Sequence, residues 1–279
     1  MLILDLPKQQ CSWIFLSVIF LFSFPSCKSP DTNIEQINLH SCQPWAEIRS
    51  NALLLTNNIW GARNFPDFKQ CIAAKTDHSG IVYSWNWSWH GKNGQVKSYP
   101  SLCFGHKPWN KHSTTEKLPI LLTAINSLLV EYNIKTTGSS IYNILLESWI
   151  TSTAIPRPDT RVAELAILLD EHDWPGMPGH FVETVTIDGQ NFDFYMEPRM
   201  VVPDDSNTWI YLGFVAKEES ANATSKLHGQ IDIAKFIRYL VAKKYIRGSQ
   251  YLSSVELGNE VISGEGKTFV KDFHVSIRR

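Results

Sequence analysis

The sequence predicts an all-β fold, either a β-sandwich or a jelly roll. Short runs rich in β-branched and aromatic residues follow one another through most of the chain, separated by turn residues. One segment has clear helical spacing, and neither a repeat nor a second linker interrupts the pattern after His40. Many short strands with about one helix are typical of these two architectures.

The clearest strand is residues 81–91, IVYSWNWSWHG, where residue types alternate. Because side chains of a strand point alternately to its two faces, Trp85, Trp87 and Trp89 share one face. Core packing is the better interpretation for any single tryptophan, since the ring buries a large apolar area. Three in alternation are difficult to place wholly in a core, so we expect at least one to face a ligand.

Turn and helix signals complete the pattern. Asp188–Gly189 between strand-forming residues predicts a β-hairpin. Residues 231–245 have helical spacing of apolar residues, and Gly248 follows their end. Residues 117–133 have helical spacing as well but lie among predicted strands, so helix and strand both stay open for them.

The N-terminal region predicts export. A basic residue, a run of about a dozen apolar residues and a small-residue end predict a signal peptide over residues 1–27, with Cys27 a candidate lipid-anchor site. A transmembrane anchor is the alternative, but it needs roughly 20 apolar residues. We expect a polar linker over residues 28–39, a single domain over 40–279, and a secreted or cell-surface protein.

The net charge and the motifs of the sequence argue against several function classes. The net charge of −1 argues against a nucleic-acid partner, which selects for a basic excess. The histidines are scattered without metal-ligand spacing, and nucleotide-binding and nucleophile-elbow motifs are absent from the sequence. We therefore expect neither a metal nor an organic cofactor, and an uncharged partner.

Three cysteines follow the predicted signal peptide. Export permits a disulfide, and Cys42 and Cys71 are the expected pair because they bracket the first hairpin-like region. Cys103 is then expected to be a buried free thiol.

Three segments place glutamates on predicted strands: Glu147 in YNILLESWITS, Glu164 in RVAELAILL, and Glu256 with Glu260 in VELGNEVISG. Glutamate is depleted in strands and is rarely buried without a partner. A solvated surface residue is the simpler interpretation of each one alone, and spacing does not separate Glu260 from Glu256. Two carboxyls facing each other in an aromatic cleft are, however, the groups that cleave a glycosidic bond.

Six motifs in chain order resemble those of glycoside hydrolase family 12. They are TNNIWG (56–61), WSWHGKNGQVKSYPS (87–101), LLESWI (145–150), AELAILL (163–169), WPGMPG (174–179) and GSQYLSSVELGNEVISG (248–264). Each motif is weak alone, but the resemblance spans about residues 40–277, nearly all of the chain after the predicted signal peptide. It implies a single β-jelly roll of two curved antiparallel sheets with one α-helix.

The resemblance also implies the roles of the acidic residues. Glu164 takes the nucleophile position and Glu260 the general acid/base position, whereas Glu256 falls on a non-catalytic one. Glu147 stands where the family has an aspartate, and we expect it to hold Glu164 through a shared proton. The family's Met and Trp after the nucleophile are Ala166 and Leu168 here, which puts the choice of substrate in question.

The resemblance further implies a cleft that binds a β-glucan chain, and a Cys42–Cys71 disulfide as in some members. The residues expected to contact substrate are Asn58, Trp60, Trp87, Trp89 and Trp149. The expected activity is endo hydrolysis of cellulose, mixed-linkage glucan or xyloglucan by a monomeric, retaining enzyme. The alternatives are a non-catalytic β-glucan-binding module and a xyloglucan transglycosylase on the same fold.

Overall fold

The computed structural model describes residues 36–91, 94–202, 205–217 and 224–279. Within them the chain forms seventeen strands and one α-helix, in this order: β1 (Asn38–Ser41), β2 (Glu47–Ser50), β3 (Leu53–Thr56), β4 (Phe68–Asp77), β5 (Gly80–Trp89), β6 (Ser101–Gly105), β7 (Ile120–Leu121), β8 (Ser127–Gly138), β9 (Ile141–Thr151), β10 (Arg161–His172), β11 (His180–Ile187), β12 (Gln190–Met200), β13 (Trp209–Ala216), β14 (Thr224–Asp232), α1 (Ile233–Ala242), β15 (Tyr251–Leu252), β16 (Ser254–Gly258) and β17 (Val261–Arg278). The predicted signal peptide, Cys27 and most of the predicted linker lie outside the described residues. Strand β1 begins at Asn38, inside the range predicted as linker.

The strands pair into two sheets. The outer sheet has the order β1-β4-β5-β17-β8-β14. The second, which we call the cleft sheet, has the order β2-β3-β6-β16-β9-β10-β13-β12-β11; the short β15 also pairs with β9, and β7 pairs with β15. The predicted all-β class with one helix is confirmed. One pair departs from the predicted antiparallel arrangement, because β10 and β13 run parallel.

The core lies between the two sheets, and the period of two decides which residues enter it. On β10, Ala163, Leu165 and Ile167 pack into this core. Their neighbours Ala166 and Leu168 lie on the opposite face, in a separate apolar cluster. The cleft sheet is therefore apolar on its inner face and presents Glu164 and its face-mates on the other.

Helix α1 covers part of the inner face of the cleft sheet. Asp232 caps its N-terminus, since its side chain accepts a hydrogen bond from the Ala234 N–H at 3.1 Å. Phe236 packs edge-on against Phe192 and Phe214 of strands β12 and β13, at ring-centroid distances of 5.0 Å each. Among the described residues, no helix is long and apolar enough to cross a bilayer.

Residues 117–133, for which the sequence allowed either a helix or a strand, are extended rather than helical. They form β7, a short 3-10 turn and the first half of β8. Their apolar spacing arises because β8 alternates buried and exposed side chains within the outer sheet. The predicted hairpin is confirmed: Asp188 and Gly189 both have positive φ between the paired residues Ile187 and Gln190.

The predicted Cys42–Cys71 disulfide is present, and Cys103 is a buried free thiol. The disulfide links the segment after β1 to strand β4. It closes a loop with a sequence separation of 29 residues, which restricts the unfolded chain and therefore favours the folded state.

We expect the double substitution Cys42→Ser and Cys71→Ser to lower the free energy of unfolding by ~3 kcal/mol, because the unfolded chain regains its loop entropy. Denaturant unfolding with and without reductant measures this. Reductant should bring the wild-type protein to the level of the double variant and leave the variant unchanged. Equal stability of all four samples contradicts a stabilising disulfide.

Candidate active site

Strand β9 lies between β10 and β16, and this arrangement brings the glutamates onto one face of the cleft sheet. Glu147 on β9 lies opposite Ala166 of β10 on one side and Glu256 of β16 on the other. Glu164 lies opposite Trp149, two residues along β9 from Glu147. Because the period of a strand is two, Glu147, Glu164 and Glu256 all point away from the core.

Glu164 is buried, with 9% of its surface exposed. Its Oε2 accepts a hydrogen bond of 2.7 Å from the indole N–H of Trp209, at the start of β13. Burial, and next the nearby charge of Glu260, raise the pKa of Glu164 to about 8. The Trp209 N–H and the charge of Arg161 oppose this rise, because both favour the ionised form.

Glu260 lies at the junction of β16 and β17 and is held by Asn143 of β9. The Asn143 side-chain amide donates to Glu260 Oε2 at 2.7 Å, and its carbonyl oxygen accepts from the Glu260 backbone N–H at 2.9 Å. Burial raises the pKa of Glu260 to about 7, although the Asn143 hydrogen bond favours the ionised form. Glu260 and Glu164 therefore both bind protons more tightly than ordinary carboxyls.

The junction that carries Glu260 is tied to the outer sheet through Asn259, which is fully buried. Asn259 donates from its amide to the Asn143 carbonyl at 2.8 Å. Its side-chain oxygen accepts from the Trp85 indole N–H and from the Thr268 hydroxyl, each at 2.8 Å. The position of Glu260 is thus fixed by groups from both sheets.

Glu256 and Glu147 form a deeper acidic layer. The Lys107 ammonium forms a buried ion pair with Glu256, and the Ser254 hydroxyl also donates to Glu256, at 3.2 Å. Burial, and then the charge of Glu256, raise the pKa of Glu147 well above its ordinary value. No hydrogen bond joins Glu147 to Glu164 within the described residues. In the structure it is Trp209, and not Glu147, that forms a hydrogen bond with Glu164.

The floor beside these carboxyls is largely apolar. It is a separate cluster of buried residues: Tyr99, Leu145, Ala166, Leu168 and Tyr211. Burial raises the pKa of the Tyr99 and Tyr211 phenols, and nearby glutamates, Glu164 and Glu260 among them, raise both further. Tyr99 and Tyr211 therefore stay neutral hydroxyls next to the acidic residues.

The predicted substrate contacts of Trp87 and Trp89 are wrong. Trp85, Trp87 and Trp89 are all buried in the core between the sheets. The Trp87 N–H donates to the Ser140 hydroxyl at 3.2 Å, and Trp89 donates to the Gln70 side chain at 3.0 Å. These buried polar partners allow the alternating tryptophans to lie wholly inside the sandwich.

Other aromatic residues adjoin the glutamates. Trp149 lies edge-on between Trp109 and Trp209, at ring-centroid distances of 5.3 and 5.4 Å. Trp109 is 43% exposed and Trp60 is 38% exposed, so both offer ring surface to a ligand. Asn58 is buried instead: its side chain accepts the backbone N–H of Trp60 at 3.1 Å and so shapes this loop.

Metal-ligand geometry occurs in one group of the described residues, formed by His40, Cys42 and Cys71. The two sulfur atoms of this group are bonded to each other in the disulfide, so they are not free to bind a metal. The buried carboxyls are compensated differently, by the cations of Lys107 and Arg161 and by indole and amide N–H donors.

Sequence reasoning missed several residues that hold the glutamates: Trp209, Arg161, Asn143, Asn259 and Lys107. Asn143 could have been found, because it lies on the same strand as Glu147, an even number of residues away, so the two side chains share a face. No sequence pattern indicated Trp209 or Lys107. Trp209 reaches the site through the pairing of β13 with β10, and Lys107 lies in a loop that is distant in sequence from the glutamates.

Comparison with known proteins shows the family of the chain. A family model described as glycosyl hydrolase family 12 matches residues 51–278. Endoglucanase S of Pectobacterium parmentieri is 29% identical over 233 residues, covering 82% of this chain and 83% of the relative. A probable xyloglucan-specific endo-beta-1,4-glucanase A of Aspergillus terreus is 27% identical over 232 residues, covering 81% and 82%.

Solved structures show the same fold. A native family 12 xyloglucanase from Bacillus licheniformis superimposes with a TM-score of 0.75 at 23% identity, covering 86% of this chain and all of that one. Trichoderma harzianum endoglucanase 3 gives 0.69 at 24% identity, covering 86% and 98%. Because the family model spans most of the sequence, the chain belongs to glycosyl hydrolase family 12, and its relatives are endoglucanases and xyloglucanases.

Proposed function

We propose that this protein is an endo-acting β-1,4-glucan hydrolase that works by a retaining, double-displacement mechanism. One observation carries the proposal. Glu260 lies close enough to Glu164 for its charge to raise the pKa of Glu164, and each carboxyl is held by one N–H donor above an apolar floor. Two such carboxyls match the needs of a glycosidase, in which one group attacks and the other transfers protons.

In the first step, Glu260 donates its proton to the glycosidic oxygen as the bond between that oxygen and the anomeric carbon breaks. Glu164 attacks the anomeric carbon from the opposite face and forms a glycosyl ester. Trp209 occupies Glu164 Oε2, so Oε1 is the attacking oxygen. In the second step, Glu260 removes a proton from water, whose oxygen displaces Glu164 and restores the original configuration.

The productive state has Glu164 ionised and Glu260 protonated. The pKa of Glu164, about 8, exceeds that of Glu260, about 7. The productive state is then the minority form of the singly protonated pair. The assignment of the charge to Glu164 rests on its family motif. Positive charge that develops on the sugar ring in the transition state also favours an ionised Glu164.

The deeper acids support this state. Lys107 compensates Glu256, and the neighbouring Glu256 charge favours the protonated form of Glu147. A neutral Glu147 adds no second negative charge beside the nucleophile. Glu147 therefore supports Glu164 through the electrostatics of the site and not through a hydrogen bond.

A β-glucan is the proposed substrate. The two relatives named above are an endoglucanase and a probable xyloglucan-specific endo-β-1,4-glucanase. The exposed rings of Trp60 and Trp109 suit the apolar faces of glucose units. A screen of the purified protein on cellulose, mixed-linkage glucan and xyloglucan identifies the preferred polymer. We also propose export, because the Cys42–Cys71 disulfide requires an oxidising compartment.

Two other functions use the same cleft. A glucan-binding module needs the aromatic residues but not the two glutamates. A transglycosylase uses all the same residues and passes the glycosyl group to a sugar instead of water. Product analysis with an added oligosaccharide acceptor separates transfer from hydrolysis.

We expect Glu164→Gln and Glu260→Gln each to lower reducing-end release from soluble β-glucan by about 10³-fold or more. With an aryl glycoside whose leaving group needs no proton, Glu260→Gln should still release a first equivalent of the aryl group, because the first step then needs no acid. The second step, which needs Glu260 as base, should stay slow. Glu164→Gln should release none. Glu131→Gln, an exposed site on the outer sheet, is the control. Near-normal activity of both catalytic variants contradicts the assignment.

We expect kcat/KM to follow a bell-shaped pH profile with its maximum between about 7 and about 8, the pKa values of Glu260 and Glu164. Below this range both carboxyls are protonated and the nucleophile is lost, and above it both are ionised and the acid is lost. A maximum near 4.5, the ordinary pKa of a glutamate, shows that burial does not raise these values.

We expect Glu164→Gln to stabilise the fold progressively as the pH rises. The pKa of Glu164 is raised from 4.5 to about 8 on folding, so the stability that its protonated form contributes is lost as pH rises through that range. Glutamine does not ionise and keeps this stability. Melting temperatures of both proteins should therefore be similar at pH 5 and diverge by pH 9. A constant difference contradicts the raised pKa.

A further inference from the structure

We propose that Trp209 is a positioning residue for Glu164, and that Arg161, packed on the face of its indole ring, holds Trp209 in place. The inference rests on the proposed role of Glu164 as nucleophile. It gives Trp209 the role of holding Glu164, which the sequence analysis predicted for Glu147.

The backbone places the indole at the nucleophile. Strand β13 runs parallel to β10, with Tyr211 opposite Glu164, and Trp209 begins this strand. The Trp209 N–H donates to Glu164 Oε2 at 2.7 Å, and both side chains are more than nine-tenths buried. A hydrogen bond to a carboxylate is stronger than one between neutral groups. The bond therefore fixes the carboxylate plane and leaves Oε1 free to face the sugar.

Arg161 fixes the indole from the other side. Its guanidinium carbon lies 4.4 Å from the Trp209 ring centroid and 5.6 Å from that of Trp149. The guanidinium forms an ion pair with Asp205 and donates to the Pro158 carbonyl at 2.9 Å. A buried cation over an aromatic face is attracted by the electron-rich ring, and it draws electron density from that ring. The indole N–H is then both immobile and a better donor.

The charges around Glu164 show why this support is needed. Glu260 and Glu256 both act to keep Glu164 protonated, and burial acts in the same direction. The Trp209 N–H and Arg161 oppose them, while burial raises the pKa of the nearby acid Glu147 and of the Tyr211 phenol and so favours their neutral forms. Loss of the Trp209 N–H should therefore leave Glu164 less well oriented and harder to ionise.

The test is Trp209→Phe, which keeps an aromatic ring and removes the N–H. We expect kcat on soluble β-glucan to fall by about 10- to 100-fold, because the attacking oxygen is no longer held in line, with KM changed by less than about 3-fold. The alkaline limb of kcat/KM, which follows the higher of the two pKa values, that of Glu164, should move up by about half a pH unit or more, because loss of an N–H donor disfavours the ionised carboxyl. A role in packing alone changes stability but leaves this limb in place.

Trp149→Phe is the matched control. Trp149 packs against Trp209, but its buried indole N–H has no hydrogen-bond partner in the structure. This substitution should leave the alkaline limb where it is in the wild-type protein. Arg161→Met should move the alkaline limb in the same direction as Trp209→Phe, and Arg161→Lys should move it less, since the charge is kept and the planar contact is lost.

If Trp209→Phe does not fold, incorporation of benzothienylalanine at position 209 provides the second variant, because a sulfur replaces the N–H in a ring of the same shape. An unchanged alkaline limb and kcat in this protein or in Trp209→Phe overturn the proposal, as does an equal shift in Trp149→Phe. If Glu164→Gln itself keeps wild-type activity, the proposed function fails. If Glu164→Gln is inactive and Trp209→Phe behaves as wild type, only this inference fails.

Discussion

The candidate site depends on one constraint, the register in which β9 pairs with β10 on one side and β16 on the other. This register places Glu147 beside both Glu256 and the strand that carries Glu164. A slip of one residue in either pairing moves a glutamate into the core and an apolar residue into the cleft. Because the core face of β10 holds residues such as Leu165 and Ile167, hydrophobic burial enforces the register that the chemistry needs.

The same burial sets the chemical character of the site. Four glutamates share a face whose floor is apolar, so each ionised carboxylate needs its own compensation. Lys107 serves Glu256, while N–H donors serve Glu164 and Glu260. Burial still raises the pKa of all four. Groups that destabilise the fold when ionised are typical of active sites, where stability is exchanged for reactivity.

Sequence patterns predicted the features that depend on local periodicity. The all-β class, the Asp188–Gly189 hairpin, helix α1 and the face shared by Glu164 and Ala166 all follow from spacing along the chain. The tryptophans of β5 were misplaced because alternation tells which residues share a face, not which face meets the other sheet. Their indole N–H groups find buried partners such as Asn259, which is 174 residues away from Trp85.

The contact between Trp209 and Glu164 was unpredictable for the same reason, since it spans 45 residues and a parallel pairing of β10 with β13.

The most direct test of the account is to trap the glycosyl–enzyme with a 2-deoxy-2-fluoro-glucan oligosaccharide that carries an activated leaving group. Peptide mass spectrometry should find one adduct, an ester on Glu164. An adduct on another residue, or an α-anomer as the first product without any adduct, contradicts it.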